Sequence, residues 1–148
     1  MDLRAQAVER LCSYEIMCVA VKNLQDQIRW LKLHQEGIHA VRTDRVVVQC
    51  QPERKEEWLL EDIEQRQKLE IALENTRRWL KITDRALQAL SKEEQLILRK
   101  LYIRKTPGAV TDLCQRLQME KSSIYRKRDR ALDKLVQALY GAQQEQTD

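Results

Sequence analysis

Apolar residues recur every three to four positions along most of this chain, which is the period of amphipathic helices. From Leu3 to Gln35 the stripe is Ala7, Leu11, Tyr14, Cys18, Val21, Ile28 and Leu31, widened by Met17, Ala20 and Leu24. This reads as one helix, with Gly37 placed to end it. Between Ile38 and Pro52 the pattern breaks. Val46-Val47-Val48 is the one β-favouring run there, too short and isolated to build a sheet, so the stretch reads as a connector. A second long helix is expected from near Pro52, a residue suited to a first helical position, through Leu90. Within it Leu69, Leu73, Thr76, Leu80, Thr83, Leu87 and Leu90 alternate steps of four and three, a heptad seam weakened by two threonines. At ~1.5 Å per residue such a helix is about 57 Å long. It must pack on something: either the first helix folded back as a hairpin, or the same helix of a second chain.

The pattern shortens after Leu90. Ser91-Lys92-Glu93-Glu94 fits a capping box. The short helix it opens has Leu96, Ile97, Leu101 and Tyr102 as its apolar face, and Thr106-Pro107-Gly108 stops it. Another short helix ends at Asp112-Leu113-Cys114-Gln115-Arg116-Leu117, a turn follows at Gln118-Met119-Glu120, and a basic helix runs from Lys121 to about Tyr140, closed by Gly141. Two short helices and a tight turn before a basic helix are the parts of a helix-turn-helix. At ~100° per residue, Ile124, Ala131, Leu132 and Leu135 face the core. Ser122, Tyr125, Arg126, Asp129, Arg130 and Asp133 fall on the far side. The expected fold is therefore all-α, with long amino-terminal helices (hairpin or coiled-coil-like) over 1–90, a compact helix-turn-helix domain over 91–141 and a flexible tail over 142–148.

Charge sharpens this picture. The chain of 148 residues carries +4 overall, but Ser91 to Gly141 holds 12 Lys and Arg against 6 Asp and Glu. Residues 1–90 hold 15 of each, so the positive excess lies in one third of the chain, as expected of a nucleic-acid-binding module joined to a neutral one. Groups on the first turns of the last helix can reach base edges or phosphates from the major groove. The candidate DNA-binding residues are Lys121, Ser122, Ser123, Tyr125, Arg126 and Arg130. Arg126 is the bidentate candidate for guanine, and Lys121 and Arg130 suit phosphates.

Other chemistries find little footing. Three glycines and two prolines leave no glycine-rich phosphate loop, and carboxylate pairs such as Glu56-Glu57 and Glu61-Asp62 read as solvated helix faces. No enzyme, cofactor or catalytic residue is expected. Cys12, Cys18, Cys50 and Cys114 fall at no metal-ligand spacing, and a zinc site from Cys50, His34 and His39 is less favoured than reduced, mostly buried thiols. No apolar run approaches the ~18 residues that span a bilayer. The start, Met1-Asp2-Leu3-Arg4, lacks a signal-peptide core, so a cytoplasmic protein with no membrane partner is expected.

The stretch from Ala89 to Gly141 resembles the promoter-reading region 4 of bacterial sigma factors and sigma-like regulators. The matching pieces are Leu90-Ser91-Lys92-Glu93-Glu94 with Leu98-Arg99, then Asp112-Leu113-Cys114-Gln115-Arg116-Leu117. Ser122-Ser123-Ile124-Tyr125-Arg126 and Arg130-Ala131-Leu132-Asp133-Lys134-Leu135 complete the set. In layout the whole chain is similar to the ArpU-like late transcriptional regulators of phages and prophages. The resemblance implies a sequence-specific regulator of phage or prophage transcription in the cytoplasm of a bacterial host. Its partners would be double-stranded DNA and, as a further candidate, RNA polymerase, and it implies DNA-facing roles for Lys121, Ser122, Tyr125 and Arg126. A homodimer through residues 1–90 is the expected assembly. Two positions depart from the family pattern: Gln118 stands where the turn usually has glycine, and Glu120 where the last helix usually has a Ser or Thr cap. With aromatic residues at 5% and no phenylalanine, nothing resembles the promoter-melting segment of a complete sigma factor. The alternative function is a phage DNA-packaging adaptor in the style of small terminase subunits, which would use the same helix-turn-helix to hold DNA.

Overall fold

The computed structural model describes residues 2–44 and 52–142. Among these every regular element is helical: α1 (Leu3–Cys12), α2 (Tyr14–Asp44), α3 (Pro52–Gln88), α4 (Lys92–Leu98), a π-helical segment (Arg99–Ile103), α5 (Ala109–Leu117) and α6 (Lys121–Tyr140). No described helix is long and apolar enough to cross a membrane. Val46-Val47-Val48, Cys50 and the tail 143–148 lie outside the described residues.

Two boundaries differ from those read in the sequence. The first helix is interrupted at Ser13, a weak helix former, although the ladder resumes at once: the Ser13 amide donates to the Glu9 carbonyl at 3.0 Å, and the Met17 amide to that of Ser13 at 3.0 Å. Gly37 does not end α2, which runs on to Asp44. A single glycine costs only about 1 kcal/mol relative to alanine, and a helix of this length absorbs it.

The chain forms two compact units, the first of them discontinuous in sequence: Met1–Cys18 with Trp79–Asp148, and Val19–Arg78. The structural division thus differs from a cut at residue 90, because α1 and the end of α3 share a core with the last helices. Ala7 and Leu11 of α1 are fully buried with Leu87 and Leu90, Leu98 of α4, and Ala131, Leu132 and Leu135 of α6. Each fully buried leucine contributes roughly 1.5–3 kcal/mol of hydrophobic stabilisation. A second cluster unites Ile97, Leu113 and Ile124. Consecutive residues of α4 therefore enter different cores, Ile97 one and Leu98 the other.

Thr83, a seeming weak point of the seam, is fully buried and hydrogen-bonded. Its Oγ1 accepts from Arg10 Nε at 2.7 Å and donates to the Trp79 carbonyl at 2.8 Å. The Arg10 guanidinium also lies over the Trp79 ring, 4.6 Å from its centre, and burial holds its pKa below the ordinary value. Nearby, the Tyr14 hydroxyl donates to Asp84; burial first, then this bond to a carboxylate, pushes the phenol up to about 12.

In the Val19–Arg78 unit, α2 and α3 lie side by side, with Ile28, Leu31 and Leu73 buried and Arg66 donating to Gln35 Oε1 at 3.1 Å. Along the seam Leu73, Thr83, Leu87 and Leu90 are buried, and Leu69, Thr76 and Leu80 half-buried.

Candidate nucleic-acid interface

The surface of interest is built by α4 to α6. The capping box forms: Ser91 Oγ accepts from the Glu94 amide at 3.2 Å, and Glu94 Oε1 accepts from the Ser91 amide at 3.3 Å. The π segment then inserts a wider turn, closed by the Arg104 amide donating to the Arg99 carbonyl at 2.8 Å. It alters the expected apolar face. Leu98, which the helical period left out, is fully buried, while Leu96, Leu101 and Tyr102 are half-buried.

Gly108 adopts φ +75°, a left-handed conformation that glycine takes without cost, and starts α5. The turn to α6 is the tightest point. Gln118 has φ +53° and is the one described non-glycine residue with positive φ. It occupies the left-handed conformation that the departure from glycine called into question. Its amide donates to the Cys114 carbonyl, as does that of Met119 at 3.1 Å, which satisfies the end of α5. Glu120 caps α6 with extended backbone and no side-chain hydrogen bond, so its side chain supplies only charge to the helix dipole while its carbonyl accepts from the Ser123 and Ile124 amides at 3.1 Å.

Along α6, Ile124, Ala131 and Leu135 are fully buried and Leu132 nearly so, as their angles required. Ser122, Tyr125, Arg126 and Arg130 are exposed on the opposite side, Lys121 is exposed at the first position of the helix, and Ser123 is half-buried. From Lys121 to Arg130 this surface runs about 14 Å along the axis.

The six cations of α6 separate into two groups. Lys127 bridges to Glu93 and Lys134 to Glu94 at 3.0 Å, both on α4. Arg128 donates from Nε and Nη2 to Asp129 Oδ1, at 3.1 and 2.9 Å, and its guanidinium lies 4.9 Å from the Tyr125 ring centre. Those three are tied into the fold. Lys121, Arg126 and Arg130 form no ion pair with any described carboxylate; Arg126 and Arg130 lie on the face turned away from the core, and Lys121 is exposed at the first position of the helix. Glu94 reports on the same division: burial raises its pKa, but hydrogen bonds from Lys134 and Ser91 outweigh this and hold it below its ordinary value.

Sequence reasoning overlooked Arg128, whose three-residue spacing from Tyr125 on a helix was the available signal. It also placed Asp129 and Asp133 on the far side without partners. Asp129 is half-buried against Arg128, and Asp133 pairs with Arg4 of α1, a residue 129 positions away that no local pattern could have linked to it. Further basic groups flank the α5 side: Lys100 and Arg116 both approach Asp112, while Arg104 pairs with Glu15 at 2.8 Å.

The thiols do not fit the expectation of burial. Cys12 is exposed, and Cys18 and Cys114 are half-buried free cysteines. No protein-family model, no curated protein and no solved structure matches the chain.

Proposed function

We propose that the chain is a sequence-specific duplex-DNA-binding regulator of transcription, with α5, the Gln118–Glu120 turn and α6 acting as a helix-turn-helix. The observation that carries this reading is the separation of cations on α6. Lys127 and Lys134 are neutralised by carboxylates of α4 and Arg128 by Asp129. Arg126 and Arg130, which pair with no described carboxylate, share one exposed face with Ser122 and Tyr125, and Lys121, also without one, stands exposed at the start of the helix. That combination suits a polyanion whose base edges offer hydrogen-bond acceptors. In this reading Arg126 addresses a guanine, Lys121 and Arg130 hold phosphates, and Ser122 and Tyr125 contact bases or sugar-phosphate oxygens. Sigma-like regulation of phage or prophage genes is the context that the motifs of Ala89 to Gly141 support.

A reading unit of about fifty residues contacts few base pairs, so the proposed working form is a homodimer on two half-sites. With Leu73, Thr83, Leu87 and Leu90 of the seam buried, other surface is proposed for pairing. Trp30 and Leu33 on α2 and Leu60 and Ile71 on α3 are 59–63% exposed and supply apolar area for a second copy or for RNA polymerase.

The test is selection of binding sites from a randomised duplex library, followed by mobility shifts on the winner. Enrichment of one short motif is the expected result. Failure to retain any duplex at low salt would end the proposal.

A further inference from the structure

The outer side of α6 is not uniformly positive: Asp129 and Asp133 lie along it beside Arg126 and Arg130. A bare carboxylate one turn from Arg130 is about 4.5 Å away along the axis, so it would stand within a Debye length of any phosphate that Arg130 holds. Both carboxylates, however, meet a guanidinium. Asp129 is held by Arg128 of its own helix, and Asp133 by Nη2 of Arg4 from α1. The placement of Arg4 is fixed by packing rather than by chance. Ala7 and Leu11, one and two turns further along α1, are fully buried in the core that contains Ala131, Leu132 and Leu135. Asp2 caps α1 by accepting from the Arg4 amide at 3.0 Å, which fixes where the helix starts. The Arg4 side chain is 46% exposed and that of Asp133 61%, too open for the pair to add much stability.

We propose that α1 is a working part of the DNA-binding unit and that Arg4 is a positioning residue for it, cancelling the Asp133 charge on the DNA-facing side of α6. This rests on the DNA-binding reading above. In that role the pair removes a repulsion on approach to the duplex, which explains a cation from the amino terminus reaching an exposed carboxylate on the last helix. Arg4→Ala uncovers Asp133, and a like-charge interaction with the nearby phosphates in partly screened medium weakens binding by about two- to five-fold.

The experiment is a double-mutant cycle on the full chain, read by fluorescence anisotropy with one labelled duplex at low salt. The variants are Arg4→Ala, Asp133→Asn, the two combined, and Arg4→Lys, each checked for an unchanged thermal melt. Expected are a two- to five-fold loss for Arg4→Ala, no loss from the same change in the Asp133→Asn background, and wild-type binding for Arg4→Lys. Equal losses in both backgrounds would mean that Arg4 acts as general charge or as a direct phosphate contact, and would overturn the inference. So would an Arg4→Ala protein that binds like wild type. Wild-type protein that binds no duplex would instead overturn the DNA-binding reading, and this inference with it.

Discussion

Glu94 shows how one side chain can serve cap, core and electrostatics together. It closes the capping box with Ser91, lies 12% exposed beneath α6, and receives Lys134 Nζ at 3.0 Å. Its folded pKa lies below the ordinary 4.5, so its contribution is fully present above that value and is lost as the pH falls through the lower, folded one. Glu94→Gln keeps a capping side chain but removes the charge. The expected cost is about 0.5–1 kcal/mol at neutral pH, discounted because Lys134 is mostly exposed. Urea unfolding at pH 7 and near pH 3 is the check: the gap between variant and wild type should narrow in acid, and a gap that persists would assign the loss to packing.

At the scale of elements, helices with strong local signals were legible. The bounds of α6 follow from the Glu120 turn and Gly141, and its buried face from the spacing of Ile124, Ala131 and Leu135. Two kinds of feature were not. The π segment shifts the ladder by a residue without changing composition, so no period detects it, and the break at Ser13 leaves the bonds four residues apart in place. Likewise Thr83 reads as a defect until Arg10 is seen to need its hydroxyl. The Gln118 turn was legible as a problem, and its left-handed φ now gives the sign of a remedy. Gln118→Gly removes the steric cost of that conformation but frees the unfolded chain, leaving a net stabilisation of about 0.5–1 kcal/mol. Thermal melting should show a rise of a few degrees; a fall would mean that the Gln118 side chain contributes to the turn.

For the whole molecule, chain order misleads about what folds together. Leu11 and Leu87 come from the long helices, yet their core is shared with Leu98 and Leu135. A fragment beginning at Ser91 keeps the motif that sequence singles out but loses Ala7, Leu11, Leu87 and Leu90 from that core. Leucine-to-alanine changes in cores cost about 2–5 kcal/mol each, so losing the three leucines alone costs about as much as the whole stability of an ordinary small domain. The fragment 91–148 is expected to show no cooperative melt by circular dichroism. A sharp transition like that of the full chain would show that the motif folds without α1 and α3.

The most direct test of the DNA-binding claim compares the two groups of α6 cations. A cation that contacts phosphate releases counterions, so removing it lowers the slope of log affinity against log salt by about 0.9. The triple variant Lys121→Gln, Arg126→Gln, Arg130→Gln should therefore lose roughly 2 units of that slope through Lys121 and Arg130, with Arg126 relaxing base preference by about 1–3 kcal/mol. The double variant Lys127→Gln, Lys134→Gln, whose lysines are occupied by Glu93 and Glu94, should leave the slope near wild type. Anisotropy titrations over a salt series, with each variant shown to be folded, supply the slopes. Matching slopes for the triple variant and wild type would contradict the account.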